Sequence, residues 1–409
     1  MERPPNIMSE CHPDPPLPLL ITGLTGVAGY NAFHYFHRRY PGNVIGIRQV
    51  SNWPLQGKGI VPCDAEDGVA LRSLFDKYQF RSVLNTAGNC ALKSCELDPE
   101  MAWRVNHAGL RTLLETIEET PVKLVHLSID LVFSGESTGN YKERHRTDPV
   151  TVYGKSMAAA EELVTLVRPD ACTLRISLPM GVSYGGHAGA IDWIQSRFKQ
   201  HKPATLYYDE IRTPTYTDCL NRVFQHVLAS NLSGLYNAGG PRRLSLYQIA
   251  QVVNRIGGYD PKNLMGCYRI SAGPMPPRAG NVSMDSRRLF EALHVTPLAP
   301  WPYFQEHVPT HGQWHFERTG GEPGSPQLLA QLLYRNPAVV IRGRDDVMDR
   351  DVGSDRDVGI DRDAGSDRDA GRARDAGIDR DAGRARDAGR ARDAGRARDA
   401  GRDKDKLRA

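Results

Sequence analysis

The chain predicts an α/β fold in which a doubly wound parallel sheet carries helices on both faces, and three observations lead there. Short apolar runs alternate with amphipathic stretches of helix length. A glycine cluster separates the first run from the first such stretch, and no apolar run approaches the roughly 20 residues needed to span a bilayer. A smaller C-terminal substrate lobe and a disordered repeat tail complete the expectation.

The elements follow in order. A leader, residues 1–17, holds Pro4, Pro5, Pro13, Pro15 and Pro16, which remove backbone donors and fix φ, so it is expected to be irregular. LPLLIT then reads as the first strand, VAGYNAFHYFHRR as a helix, NVIGI as a strand, GIVPC as a short strand and GVALRSLFDKY as a helix. SVLNTA is the next strand, MAWRVNHAGLRTLLETIEE one long helix and KLVHLSI the strand after it. Beyond about residue 165 the alternation weakens: CTLRIS is strand-like, and Pro-bounded segments such as PATLYYDEIRTPTYTD follow. The folded region is therefore placed at 18–318, with a substrate lobe mainly from 178–318. SLYQIAQVVNRIG has helical spacing and a stop at Gly257-Gly258.

After a linker at 319–350 the chain changes in kind. From Asp351 a six-residue repeat runs through nine copies, from DVGSDR to DAGRDK. It has almost nothing to bury, so its ordering entropy is not offset and a solvated, disordered tail over 351–409 is expected. A calcium-binding repeat or a nucleic-acid arm is the alternative, disfavoured because Arg interrupts the carboxylates and Asp dilutes the basic charge.

Composition narrows the partners. With 52 basic and 48 acidic side chains the formal charge is +4, so no strong field invites nucleic acid or an anionic membrane. The opening MERPPNIMSECHPDPPLP has no apolar signal region, and a cytoplasmic protein is expected. Cys11, Cys63, Cys90, Cys95, Cys172, Cys219 and Cys267 are odd in number and form no C-x-x-C pair, which suits free thiols in a reducing compartment. His34, His37, His107, His126, His145 and His187 are dispersed without ligand partners at metal spacing, and no metal is expected. Trp301-Pro302-Tyr303 and Trp314 are read as packing residues rather than as platforms for a base or sugar.

The chemistry begins at Thr22-Gly23-Leu24-Thr25-Gly26-Val27-Ala28-Gly29, which joins the first strand to the first helix. There a dinucleotide turn needs glycine for three reasons: Gly23 for the tight turn, Gly26 for close approach of the diphosphate, Gly29 for close packing of helix on sheet. Gly23, Thr25, Gly26, Val27, Ala28 and Gly29 are the expected phosphate contacts, since unpaired N–H groups at the helix start face that ligand. About 20 residues on, an acidic residue would mark NAD and a basic one would accommodate a 2′-phosphate. Arg48 stands there, which favours NADP(H) over NAD(H), a ligand-free surface arginine being the alternative. Asp64, and Ala87 and Gly88 in the run Asn85-Thr86-Ala87-Gly88, follow strands at their carboxyl ends, where ligands of open α/β sheets collect; for Asp64 a turn-capping role is the alternative.

Several pieces in order, LLITGLTGVAG, VLNTAGNCALKSCELDPEMAWRVN, LVHLSIDLVFSGES, DPVTVYGK, SGLYNAGG and RAGNVSMDSRRL, resemble the extended short-chain dehydrogenases, and within them the dTDP-4-dehydrorhamnose reductases. The resemblance covers roughly three quarters of the chain. It implies a Rossmann-type domain, NAD(P)H-dependent reduction of a nucleotide-linked 4-keto-6-deoxy sugar, and a Tyr that passes a proton to the carbonyl oxygen, a Lys four residues later that lowers its pKa and a Ser/Thr hydroxyl that orients the substrate. Tyr153 matches the tyrosine, but the residue four later is Met157. Positions i and i+4 lie about 40° apart on a helix, whereas Lys155 should point about 160° away. Ile129 stands where the hydroxyl is implied, and strand alternation aims Ser128 at the opposite face.

Two of three implied catalytic groups are thus absent. The first expectation is an NADPH-dependent reductase using Tyr153 as acid, with the lost lysine replaced by water or a basic residue from elsewhere and hydride transfer slowed unless such a group has moved in. The second is a catalytically impaired nucleotide-binding or regulatory protein, resembling in principle the regulatory beta subunit of methionine adenosyltransferase. A nucleotide-sugar substrate is the expected partner, and a homo-oligomer or a regulatory partner is compatible with either.

Overall fold

The computed structural model describes residues 13–186 and 188–302. The expectations for residues 1–12, for His187, Tyr303 and Trp314, and for the stretches 319–350 and 351–409 lie outside the described residues.

Pro13 to Pro18 is irregular. β1 (Leu19–Ile21) leads into the glycine turn, and α1 (Val27–Arg39) starts at Gly26 and carries His37, Arg38 and Arg39 in its last turn, where the helix dipole favours cations. β2 (Val44–Arg48) and β3 (Ile60–Pro62) precede α2 (Gly68–Tyr78), which begins where the Asp67 carboxylate accepts the N–H groups of Val69 and Ala70. β4 (Ser82–Asn85) is followed by α3 (Leu92–Leu97) and α4 (Pro99–Trp103).

The single regular helix expected over MAWRVNHAGLRTLLETIEE is corrected here. A π-helical turn at Arg104–Ala108 separates α4 from α5 (Gly109–Ile117). In that turn the Asn106 side chain is engaged from other elements: its Oδ1 accepts the backbone N–H of Asn89 (2.6 Å) and its Nδ2 donates to Ser156 Oγ (2.9 Å).

β5 (Lys123–Ile129), α6 (Val152–Val167), capped by Thr151 Oγ1 on the N–H of Gly154, and β6 (Cys172–Ile176) continue the alternation. Then come β7 (Pro179–Met180), α7 (Ala190–Lys199), β8 (Ala204–Tyr207), β9 (Ile211–Arg212), β10 (Thr215–Tyr216) and α8 (Thr217–Ala229). The described chain closes with β11 (Gly234–Ala238), β12 (Leu244–Ser245), α9 (Leu246–Ile256), β13 (Leu264–Cys267) and α10 (Arg287–Leu293). A capping box, Ser245 with Gln248, starts α9, the helix expected from SLYQIAQVVNRIG.

The main sheet has seven strands in the order β11-β6-β5-β4-β1-β2-β3, all pairs parallel. Alternation on β1 divides the core: Leu19 and Ile21 pack with Phe33 and Phe36 of α1 and Phe224 of α8, while Leu20 packs with Phe75 of α2 and Leu110 and Leu114 of α5. Within 178–318, α8 and β11 return to this sheet, and β7/β10, β9/β12 and β8/β13 form two-stranded pairs. Trp301 is fully buried in the core on the α1 side. Strand order reverses between β1 and β4, so the crevice beyond their carboxyl ends is the natural ligand site.

One buried histidine in the sheet has a measurable consequence. His126 of β5 is 1 % exposed, its Nδ1 accepts from Asn85 Nδ2 (3.0 Å), and burial lowers its pKa to about 4. The unfolded chain binds a proton near pH 6.5 that the fold refuses, so this stability is complete above about pH 6.5 and is lost as pH falls toward 4, by roughly 3 kcal/mol. Denaturant titrations from pH 7 to 4.5 should show a steeper loss for wild type than for His126→Asn. Equal slopes would contradict the neutral state of the imidazole.

Candidate active site

The glycine turn forms as the residues require. Gly23 has φ 68°, and a Cβ there would lie 2.5 Å from the Thr86 carbonyl oxygen. A Cβ on Gly29 would fall 2.3 Å from the carbonyl oxygen of Gly23, so helix and turn touch through backbone. Gly26 differs: its Cβ would meet nothing nearer than 3.6 Å, leaving that side open to an approaching group. No side chain caps α1 and no acidic residue occupies its first turn, so the N–H groups of Val27, Ala28 and Gly29 meet no competing anion. This cradle fits a diphosphate. Thr25 and Ala28 flank it half-buried.

Thr22 holds the cradle to the neighbouring strand end. Its Oγ1 donates to Asn85 Oδ1 (2.6 Å) and accepts the N–H groups of Thr86 (3.0 Å) and Ala87 (3.1 Å). Gly88 comes next, where a Cβ would crowd Asn106 Oδ1 at 3.3 Å. Beside this loop an apolar cleft is lined by Ile47, Ala65, Ala87, Val105 and Leu110, with Thr22 and Asn85 at its polar end.

Arg48 ends β2 at the rim, and its guanidinium donates to the carbonyl oxygens of Gln49 (2.9 Å) and Val50 (3.1 Å). Asp64 Oδ1 accepts the N–H of Val50 (2.9 Å), so it braces the same rim loop. Both expected residues thus meet at Val50, each with a local structural partner.

Tyr153 sits in the first turn of α6, 7 % exposed, and its hydroxyl makes no hydrogen bond among the described residues. Burial raises its pKa well above the ordinary value, with Cys90, Asp130 and Cys95 adding to the effect and Arg212 opposing it. The phenol therefore keeps its proton at neutral pH. Met157, 3 % exposed, lies in the same apolar cluster as Tyr153, and Ile129 packs against that cluster. Lys155 is exposed on the outer face of α6, away from the phenol. Ser128 faces the other side of β5, where its Oγ donates to Glu161 Oε1 (2.5 Å), itself paired with Arg175 (2.7 Å).

Three residues lie inside the family-like pieces of the sequence, yet no role could be read for them there. Asp130 accepts from Arg212 Nη1 (2.6 Å) and from Ser177 Oγ (2.6 Å), and Arg212 also reaches Glu210 (2.7 Å), so a buried ion triad closes the floor near Tyr153. Asn106 links the loop after β4 to α6, because Ser156 Oγ, its partner, donates to the Tyr153 carbonyl oxygen (2.8 Å). Cys90, on that same loop, is exposed and donates to the Ala188 carbonyl oxygen (3.4 Å). A polar residue in an otherwise apolar helical period was the one signal available for Asn106. Among the described residues no cluster of His, Cys, Asp and Glu could hold a metal ion, and no helix is long and apolar enough to cross a membrane.

Known proteins resemble this chain in sequence and in fold. The model of the family described as RmlD substrate binding domain matches residues 17–310. The chain is 25 % identical over 285 residues to dTDP-4-keto-6-deoxy-D-glucose reductase of Streptomyces niveus, covering 69 % of this chain and 93 % of that protein. It is 27 % identical over 242 residues to dTDP-4-dehydrorhamnose reductase of Mycolicibacterium smegmatis, covering 58 % and 72 %. A solved structure of dTDP-4-dehydrorhamnose reductase from Bacillus anthracis, in complex with NADP, shares the fold with a TM-score of 0.60 at 18 % identity, over 69 % of this chain and 95 % of that one.

Proposed function

Because the chain belongs to the RmlD substrate binding domain family, within the extended short-chain dehydrogenases, we propose that it is an NADPH-dependent reductase of a nucleotide-linked 4-keto-6-deoxy sugar, acting on the pattern of dTDP-4-dehydrorhamnose reductase. The observation that carries this reading is Tyr153, a buried side chain whose hydroxyl makes no hydrogen bond among the described residues, at the start of α6, together with an uncapped, glycine-lined start of α1. Names of the similar reductases, and the NADP held by the Bacillus anthracis enzyme, support the substrate and coenzyme class.

When bound, a reduced nicotinamide supplies the hydride for the carbonyl carbon. The chain's own residues do the rest. Gly23, Thr25, Gly26, Val27, Ala28 and Gly29 receive the diphosphate, Ala87 and Gly88 line the coenzyme's path, and Asp64 holds the rim loop beside the adenosine end. Arg48 turns its guanidinium from the Gln49 and Val50 carbonyls to a 2′-phosphate. Tyr153 holds the proton that the carbonyl oxygen takes. With Met157 rather than a cation one helical turn on, the phenolate left behind is poorly stabilised, and turnover is slow.

The test is to mix the protein with NADPH and a dTDP-4-keto-6-deoxy sugar and to follow the absorbance of the reduced nicotinamide. Slow turnover is expected, with kcat/KM at least about tenfold higher for NADPH than for NADH, and Arg48→Ala should erase most of that difference. A preference for NADH in wild type would remove the role given to Arg48. Met157 and Ile129 also favour a second reading, a catalytically impaired nucleotide-binding or regulatory protein. Tight NADPH binding without any turnover would select it.

A further inference from the structure

The chain between β7 and α7 leaves the strand through Val182 and Ser183 and enters the helix through Ala188 and Gly189. Asp192, in the first turn of α7 and 6 % exposed, holds these two ends together. Its Oδ2 accepts from Ser183 Oγ (2.5 Å), from the N–H of Ser183 (3.3 Å) and from the N–H of Gly189 (3.0 Å), and Ser183 Oγ accepts the N–H of Ala188 (3.0 Å). Capping the helix needs only the bond to Gly189. The two bonds to Ser183 do something else: they close the stretch on itself.

The clasped ends touch both sides of the crevice. On one side Asn31 of α1, 1 % exposed, donates its Nδ2 to the Val182 carbonyl oxygen (2.8 Å) as well as to that of Val27 (2.7 Å). Gly189 also lies so close to α1 that a Cβ on it would fall 2.8 Å from Val27 Cγ2. On the other side the Cys90 thiol, on the loop after β4, donates to the Ala188 carbonyl oxygen (3.4 Å). Val27 opens α1, and Cys90 follows Ala87 and Gly88, so these are the two walls between which the cradle lies. A stretch fastened to both walls spans the gap between them.

We propose that this stretch is a strap across the coenzyme's diphosphate and that Asp192 is its clasp, a positioning residue that slows the release of bound NADPH. The proposal rests on the coenzyme part of the reductase reading. A diphosphate on the N–H groups of Val27, Ala28 and Gly29 lies between the two walls, beneath the strap, and leaves when the strap lets go of one of them. The sulfur hydrogen bond from Cys90 is weak, so it does not by itself keep the Ala188 end in place. The carboxylate does, because a hydrogen bond to a charged acceptor is worth about tenfold or more in an equilibrium.

Release is read directly on the full chain: NADPH-loaded protein is mixed with excess NADP+ in a stopped-flow instrument, and the fluorescence of the reduced nicotinamide decays at koff. Asp192→Ala should raise koff about tenfold or more without lowering kon. Its affinity for adenosine 2′-monophosphate, which has no diphosphate to cover, should stay within about threefold of wild type by titration calorimetry. Asp192→Asn, which keeps an acceptor oxygen at that position, should restore most of the slow release. Ser183→Ala removes one arm and keeps the carboxylate, should raise koff about threefold or more, and carries the test if Asp192→Ala does not fold. An unchanged koff in the folded variant, or an affinity loss shared equally by NADPH and adenosine 2′-monophosphate, overturns the strap and leaves the coenzyme site standing. A wild-type chain that binds no NADPH fells the coenzyme reading itself, and the strap with it.

Discussion

Installing lysine at Met157 together with threonine at Ile129 should raise kcat for keto-sugar reduction on the order of 10²-fold or more over wild type. Met157 is one helical turn from Tyr153, about 40° around the axis, in the same apolar cluster, so an ammonium at that position lies alongside the phenol and stabilises the phenolate as the proton leaves. Ile129 ends β5 against that cluster, so a hydroxyl there can hold the carbonyl oxygen. The two changes act on one transition state, and the double variant should exceed the product of the single ones. A lysine at a position only 3 % exposed costs stability, because Asp130 is already occupied by Arg212 and Ser177, so a lower Tm is expected with the higher activity. Steady-state kinetics on wild type, both singles and the double decide it. An inert double variant that still binds NADPH would show that the sugar pocket, and not the missing pair alone, departs from the family.

Gly29→Ala should abolish coenzyme binding in practice, weakening NADPH affinity by about 100-fold or more and lowering stability by roughly 2–4 kcal/mol. The added Cβ would sit 2.3 Å from the Gly23 carbonyl oxygen and 2.5 Å from Thr86 Oγ1. Neither neighbour can yield cheaply: Gly23 is already in the left-handed region at φ 68°, and Thr86 Oγ1 donates to the Thr22 carbonyl oxygen (2.6 Å). The displacement is therefore transmitted to the turn that receives the diphosphate. Isothermal titration of NADPH and thermal denaturation of the variant measure both effects. Unchanged affinity in a folded variant would remove the diphosphate from this cradle. Gly26→Ala is the informative companion, since its Cβ meets only one atom at 3.6 Å; it should fold normally and lose affinity through the ligand's approach alone.

Much of this protein was determined by its sequence alone, where the relevant interactions are local. Strand and helix follow from apolar period over a few residues, so β1, α1, α2, β5 and α9 fall where the pattern puts them. Helical spacing shows that Met157, and not Lys155, follows Tyr153 on its face, and strand alternation shows that Ser128 turns away from Ile129; both are consequences of backbone geometry within five residues. Tertiary structure alone decided the rest. Arg212 reaches Asp130 across 82 residues of chain, and Asn106, within the π-helical turn, reaches Ser156 across 50. The physical reason is that periodicity records which face of its own element a residue occupies, whereas a donor, an ion pair or a proton path exists only once separate elements are packed against one another.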